Sequence, residues 1–94
     1  MDRAEIIMKV GDRMAAAEIQ TRDFAEGLVH SLVEERHRQG KTQQDIADYT
    51  GLKTPNVARV ESCKYMPTLN VLIRYANALG MQLKFDLVKK DEEG

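Results

Sequence analysis

The sequence has no tryptophan, two phenylalanines and three tyrosines, so only 5% of its 94 residues are aromatic. It holds one cysteine, Cys63, which excludes an internal disulfide and a cysteine-rich zinc site. Two prolines and six glycines are too few for a linker-rich chain. No run approaches the ~20 apolar residues that span a bilayer. The first residues, MDRAEIIMKVGDR, mix acids with bases where a signal peptide carries an apolar stretch. The expectation is a cytoplasmic protein without membrane association. There is no glycine-rich phosphate loop, nucleophile elbow or metal triad, which argues against an enzyme and against a cofactor. His30 and His37 lie seven apart with no further ligand at suitable spacing, so no metal site is expected.

What is present is 43% apolar and 31% charged, the balance of one small globular domain with a helical leaning. Fourteen bases against fifteen acids give a net charge of −1, which alone does not suggest a polyanionic partner. The distribution does. Residues 1–35 carry four bases and eight acids. Residues 36–64 carry Arg36, Arg38, Lys41, Lys53, Arg59 and Lys64 against Asp45, Asp48 and Glu61. A locally basic middle inside an acidic chain sets the potential that a nucleic acid would meet.

Residues 1–20 read as an N-terminal helix or arm: Ile6, Val10, Met14 and Ala17 fall at helical spacing, interrupted by Gly11. A helix over about 22–39 follows, with Phe24, Leu28, Leu32 and Val33 on one face, Asp23 or Thr21 as its cap, and Gly40 past its end. Thr42 and Asp45 predict a reciprocal cap on a short helix, 42–50, with Ile46, Ala47 and Tyr49 inward and Gly51 as its stop. Thr54 is the expected cap of a third helix, 54–62, with Pro55 first and Val57 and Val60 inward. A fourth starts at Pro67-Thr68, buries Leu69, Leu72, Ile73, Ala76 and Leu79, and ends at Gly80.

The period then changes. Met81, Leu83, Phe85 and Leu87 alternate with polar residues, which predicts a strand over 81–88, followed by a flexible tail, 89–94. A lone strand cannot satisfy its own backbone, so the expected partner is the same segment of a second copy, in a homodimer. The whole is read as an all-α bundle of four to five helices with a C-terminal β-strand that pairs across a dimer.

Two short helices joined by a glycine turn, with small Ala47 four residues before Gly51, form a helix-turn-helix whose second helix enters a DNA major groove. The motifs TQQDIA, ARVES, MPTL and ANALG occur in this order around that turn. Over about residues 28–81 the chain resembles the repressor-type helix-turn-helix domain of phage repressors, Cro proteins and XRE-like bacterial regulators, which have the lambda-repressor-like fold. The resemblance implies a DNA-binding domain over 21–80 that recognises a palindromic double-stranded operator. It implies base contacts from Thr54, Pro55, Ala58 and Arg59, with Arg59 suited to guanine O6 and N7. Phosphate contacts fall to Gln43, Lys53, Asn56 and Lys64, and Arg36 and Glu61 match a pair joining the first helix to the reading helix. Pro55 and Ala58 depart from the polar residues common at their positions, which shifts specificity toward thymine methyl contact or DNA shape.

The terminal ANALGMQLKFDLV is similar to the HigA-like and HipB-like antitoxins of bacterial toxin–antitoxin pairs. That likeness implies a repressor of its own operon that also neutralises a small basic toxin protein, for which the acidic 1–35 segment is the candidate surface. The other readings are a stand-alone or phage-type repressor and a protein-interaction module on the same scaffold.

Overall fold

The computed structural model describes residues 2–91. Four helices follow in order: α1 (Arg3–Arg38), α2 (Gln43–Thr50), α3 (Thr54–Ser62) and α4 (Leu69–Ala78). α1 is one 36-residue rod, capped by Asp2, whose carboxylate accepts the Glu5 N–H at 2.9 Å. At 1.5 Å per residue it spans ~54 Å, and it sets the molecule's longest dimension of 56 Å.

The expected break between an arm and a helix beginning at 22 does not exist. Gly11 costs a helix only about 1 kcal/mol relative to alanine, and the neighbouring alanines, Met14, Glu18 and Gln20 are strong helix formers. Thr21 does not cap. Its hydroxyl donates back to the Ala17 carbonyl within the helix. The true end of α1 is where glycine predicts it: Gly40 takes φ +68°, its N–H reaches the His37 carbonyl, and Lys41 N–H reaches that of Arg36. This is a Schellman closure.

α2 carries the reciprocal cap. Thr42 Oγ1 accepts the Asp45 N–H at 3.1 Å, and Asp45 accepts the Thr42 N–H at 2.8 Å. Gly51 leaves the helix at φ +77°, in the left-handed region that a side chain disfavours. α3 keeps the expected bounds, but its cap lies one residue earlier than expected. Lys53 is the cap residue and supplies no side-chain bond, while the Thr54 hydroxyl donates to Gln44 Oε1 at 2.7 Å.

The core is built from Val29 and Leu32 of α1, Ile46 and Ala47 of α2, Val57 and Val60 of α3, and Leu72, Tyr75, Ala76 and Ala78 of α4, closed by Leu79. α2 packs against α3 and α4, and α1 against α3 and α4. Several inward expectations fail here. Tyr49 is exposed, and Thr50 takes the third buried position of α2. In α4 the buried stripe is rotated toward Tyr75, leaving Leu69 and Ile73 exposed. Phe24 is exposed too, because the bundle reaches only the second half of α1.

Among the described residues no strand is present; Met81 to Asp91 carry no regular element. The alternating pattern remains, but one chain offers it no partner strand. Residues 92–94 of the expected tail lie outside the described residues.

Candidate nucleic-acid interface

The inner side of α3 is fixed by one carboxylate. Glu61 sits near its C-terminal end and receives bonds from all three other helices. Arg36 of α1 donates from Nε to Oε2 at 3.0 Å and from Nη2 to Oε1 at 2.9 Å, the two-pronged geometry of a strong charged pair. Tyr75 of α4 donates its hydroxyl to Oε2 at 2.6 Å. Gln43 of α2 donates Nε2 to Oε1 at 3.1 Å. Arg36 also donates Nη1 to the Lys41 carbonyl at 2.9 Å. The Arg36 and Glu61 side chains are 9% and 10% exposed.

Such burial is costly unless every polar atom is satisfied. Among the described residues no buried side-chain nitrogen or oxygen lacks a partner. Burial pushes Glu61 toward the neutral form, but the bonds from Arg36, Tyr75 and Gln43 outweigh it and hold the carboxyl below its usual range. Burial and the Glu61 carboxylate together push the Tyr75 hydroxyl up.

The outer side of α3 faces away from the bundle. Lys53, Pro55, Asn56 and Arg59 are exposed, Thr54 and Ala58 half-buried, and Lys64 exposed just beyond the helix end. Arg59 lies across the Tyr65 ring, its guanidinium carbon 3.9 Å from the ring centre. This cation–π contact holds a long side chain that would otherwise sample many rotamers. Beside it, between α3 and the start of α4, an open groove of about 300 Å³ is lined by Asn56, Arg59, Tyr65, Met66 and Val71, among others.

Gln43 stands at the first turn of α2, half-buried, with one amide N–H committed to Glu61. Its amide oxygen and second N–H have no partner among the side-chain bonds described. Two other basic residues are occupied. Lys41 donates Nζ to the Ala78 carbonyl at 2.8 Å, which ties α4 to the end of α1. Arg38 pairs with Glu35, and its bonds, with one from Gln39, lower that carboxyl to about 2.

Met81, Phe85 and Leu87 are exposed and Leu83 is half-buried against the core. Sequence reasoning missed Tyr65, Tyr75 and Arg74. Arg74 donates to the Thr50 carbonyl at the end of α2, bracing the turn before α3. Tyr75 had a signal, since it sits three residues after Leu72 on the buried face. Tyr65 lay in a loop with no pattern to mark it.

The arrangement is a short helix braced from behind at all sides and open in front, with cationic and polar groups along its outer face. No helix among the described residues is long and apolar enough to cross a membrane. A helix-turn-helix sequence profile matches residues 32–85. An uncharacterized HTH-type transcriptional regulator of Methanothermobacter thermautotrophicus is 33% identical over 67 residues, covering 70% of this chain and 97% of that protein. No solved structure matches the chain. The profile takes in the end of α1 and all of α2, α3 and α4, more than half of the sequence, and the chain belongs to the helix-turn-helix family.

Proposed function

We propose that the chain is a sequence-specific DNA-binding transcriptional repressor that works as a homodimer on a palindromic operator. The observation that carries this is the free outer face of α3, with Arg59 exposed between Lys53 and Lys64 while Glu61 anchors the opposite side. A reading helix must be rigid in its seat and bare on its far side, and α3 meets both conditions. Thr54, Pro55, Ala58 and Arg59 read base edges. Gln43, Lys53, Asn56 and Lys64 hold phosphates and fix the register. Two copies place their α3 helices roughly 34 Å apart, one turn of duplex.

The finer role is that of an antitoxin, which represses its own operon and binds a small basic toxin protein. Support comes from the excess of acids in residues 1–35 and from the exposed alternating stretch 81–88 after the domain. Pairing of residues 81–88 between copies supplies a strand partner that one chain lacks.

The test is a set of binding isotherms on an operator selected from random duplexes, taken across salt concentrations. Log affinity falls linearly with log salt at about −0.9 per phosphate neutralised. Arg59→Ala loses about 1–3 kcal/mol of preference at one base position, while Gln43→Ala weakens all sites alike. Failure to enrich any sequence, at any salt, overturns the DNA reading. Co-purification from the native host tests the toxin: a small basic protein held by the chain supports it, and a chain recovered without one counts against it.

A further inference from the structure

Residues 3–24 of α1 are exposed throughout and form the half of the rod outside the helical core; the loop before α4 comes alongside Ala17, Thr21 and Arg22 through Met66. Of the seven exposed large apolar side chains in this half, Ile7, Val10, Met14 and Phe24 share one seam, Ile6 flanks it, and Met8 and Ile19 lie off it. With Ile7 at position a of a heptad, the a positions are Ile7, Met14, Thr21 and Leu28, and the d positions are Val10, Ala17 and Phe24. Three heptads keep this seam, with Thr21 its one polar member. Ile7, Met14 and Phe24 are 64%, 61% and 70% exposed, far above what their apolar surface warrants in a finished interface. At Leu28 the seam meets the domain, where that side chain packs against the core.

We propose that residues 7–28 of α1 pair in parallel and in register with the same residues of a second copy, as a two-stranded coiled coil. Two observations select this occupant. The a and d positions keep a period of 3.5 over three heptads, the spacing that lets two helices stay in contact as a coil. One flanking charge pair also fits a pairing between copies. Arg13 falls at g and Glu18 at e, five residues on, so in a parallel pair Arg13 of each chain meets Glu18 of the other. Gly11 at e and Gly27 at g add no bulk beside the seam. The inference rests on the homodimer part of the proposed function but not on DNA binding. It adds a contact on the two-fold axis at the opposite end of the chain from residues 81–88.

The test uses the full chain with Cys63→Ser, so that an introduced thiol is the only one. Val10→Cys places that thiol at d near one end of the seam, where a parallel pair brings it to its own copy and an antiparallel pair does not. Mild oxidation should convert the protein to a disulfide-linked dimer. Met14→Asp should raise the dimer dissociation constant at least tenfold while leaving the α2–α4 domain folded by amide exchange. Arg13→Glu should raise the dimer dissociation constant, and Arg13→Glu with Glu18→Arg should restore it. A wild-type dimer that ignores Met14→Asp and fails to cross-link at Val10→Cys overturns the coil and leaves the homodimer to residues 81–88. A wild-type monomer overturns both. A cross-linking dimer that binds no operator supports the coil and removes the DNA reading instead.

Discussion

Glu61→Ala takes one carboxylate from a site where the Arg36 guanidinium is nine-tenths buried. The arginine stays charged at any accessible pH, so it loses its counter-charge and two hydrogen bonds together. Removing one member of such a pair costs about 3–5 kcal/mol. A domain of this length has roughly 5–14 kcal/mol of total stability, at 0.05–0.15 kcal/mol per residue. The variant therefore loses about a fifth of its stability or more. At about 4–8 °C per kcal/mol for a domain of this size, its melting point drops by at least ~12 °C. Lys64→Ala, at an exposed position three residues on, changes stability by no more than about 0.5 kcal/mol. The double variant Arg36→Met with Glu61→Leu costs less than Glu61→Ala alone, because no charge is left stranded. Thermal melts followed by helical circular dichroism, with urea unfolding as a check on the slope, measure all three. Equal melting points for Glu61→Ala and Lys64→Ala, or a double variant worse than the single, refute the account of the pair as a buried charge needing its partner.

Acid should find the same site. Because the folded state holds Glu61 below its ordinary value, its contribution is present above about pH 4.3 and is lost as pH falls through the lowered folded value. Glu61→Gln flattens that limb of a stability–pH curve. Tyr75 shifts the opposite way, so its contribution is full below about pH 10 and fades as pH rises beyond it, and Tyr75→Phe removes this alkaline limb. Gly51→Ala forces a side chain into φ +77° and costs about 1–2 kcal/mol by urea unfolding; no loss would mean that the turn relaxes. Tyr65→Ala frees the Arg59 guanidinium, so operator affinity falls with little change in melting point, whereas a matching loss of stability would make Tyr65 a structural residue.

Local chemistry made much of the domain legible. The Thr42–Asp45 cap, Gly40 and Gly51 each act through backbone atoms within a few residues, so their consequences can be read from a short window. The limits of α1 could not be read that way. Gly11, Thr21 and Asp23 all look like punctuation, yet a run of good helix formers carries the rod through them. Hydrophobicity alone points Tyr49, Leu69 and Ile73 inward, whereas short helices have room for few buried positions and Thr50 and Tyr75 fill them. The residues of the outer α3 face could be named from the resemblance, but the perch of Arg59 on Tyr65 joins a helix to a loop and has no periodic trace. The stretch 81–88 marks another limit, since alternation says which side is apolar but not what lies against it.

A junction that draws on residues 36, 43, 61 and 75 has a consequence for the folding route. Its bonds span up to 39 positions of the chain, and the full set closes only when every helix has docked, so two docked helices hold only part of it. The bundle from Leu28 to Leu79 therefore opens and closes as a single cooperative unit, its slowest amides sharing one opening free energy. The outer turns of α1, which touch none of this, open on their own schedule.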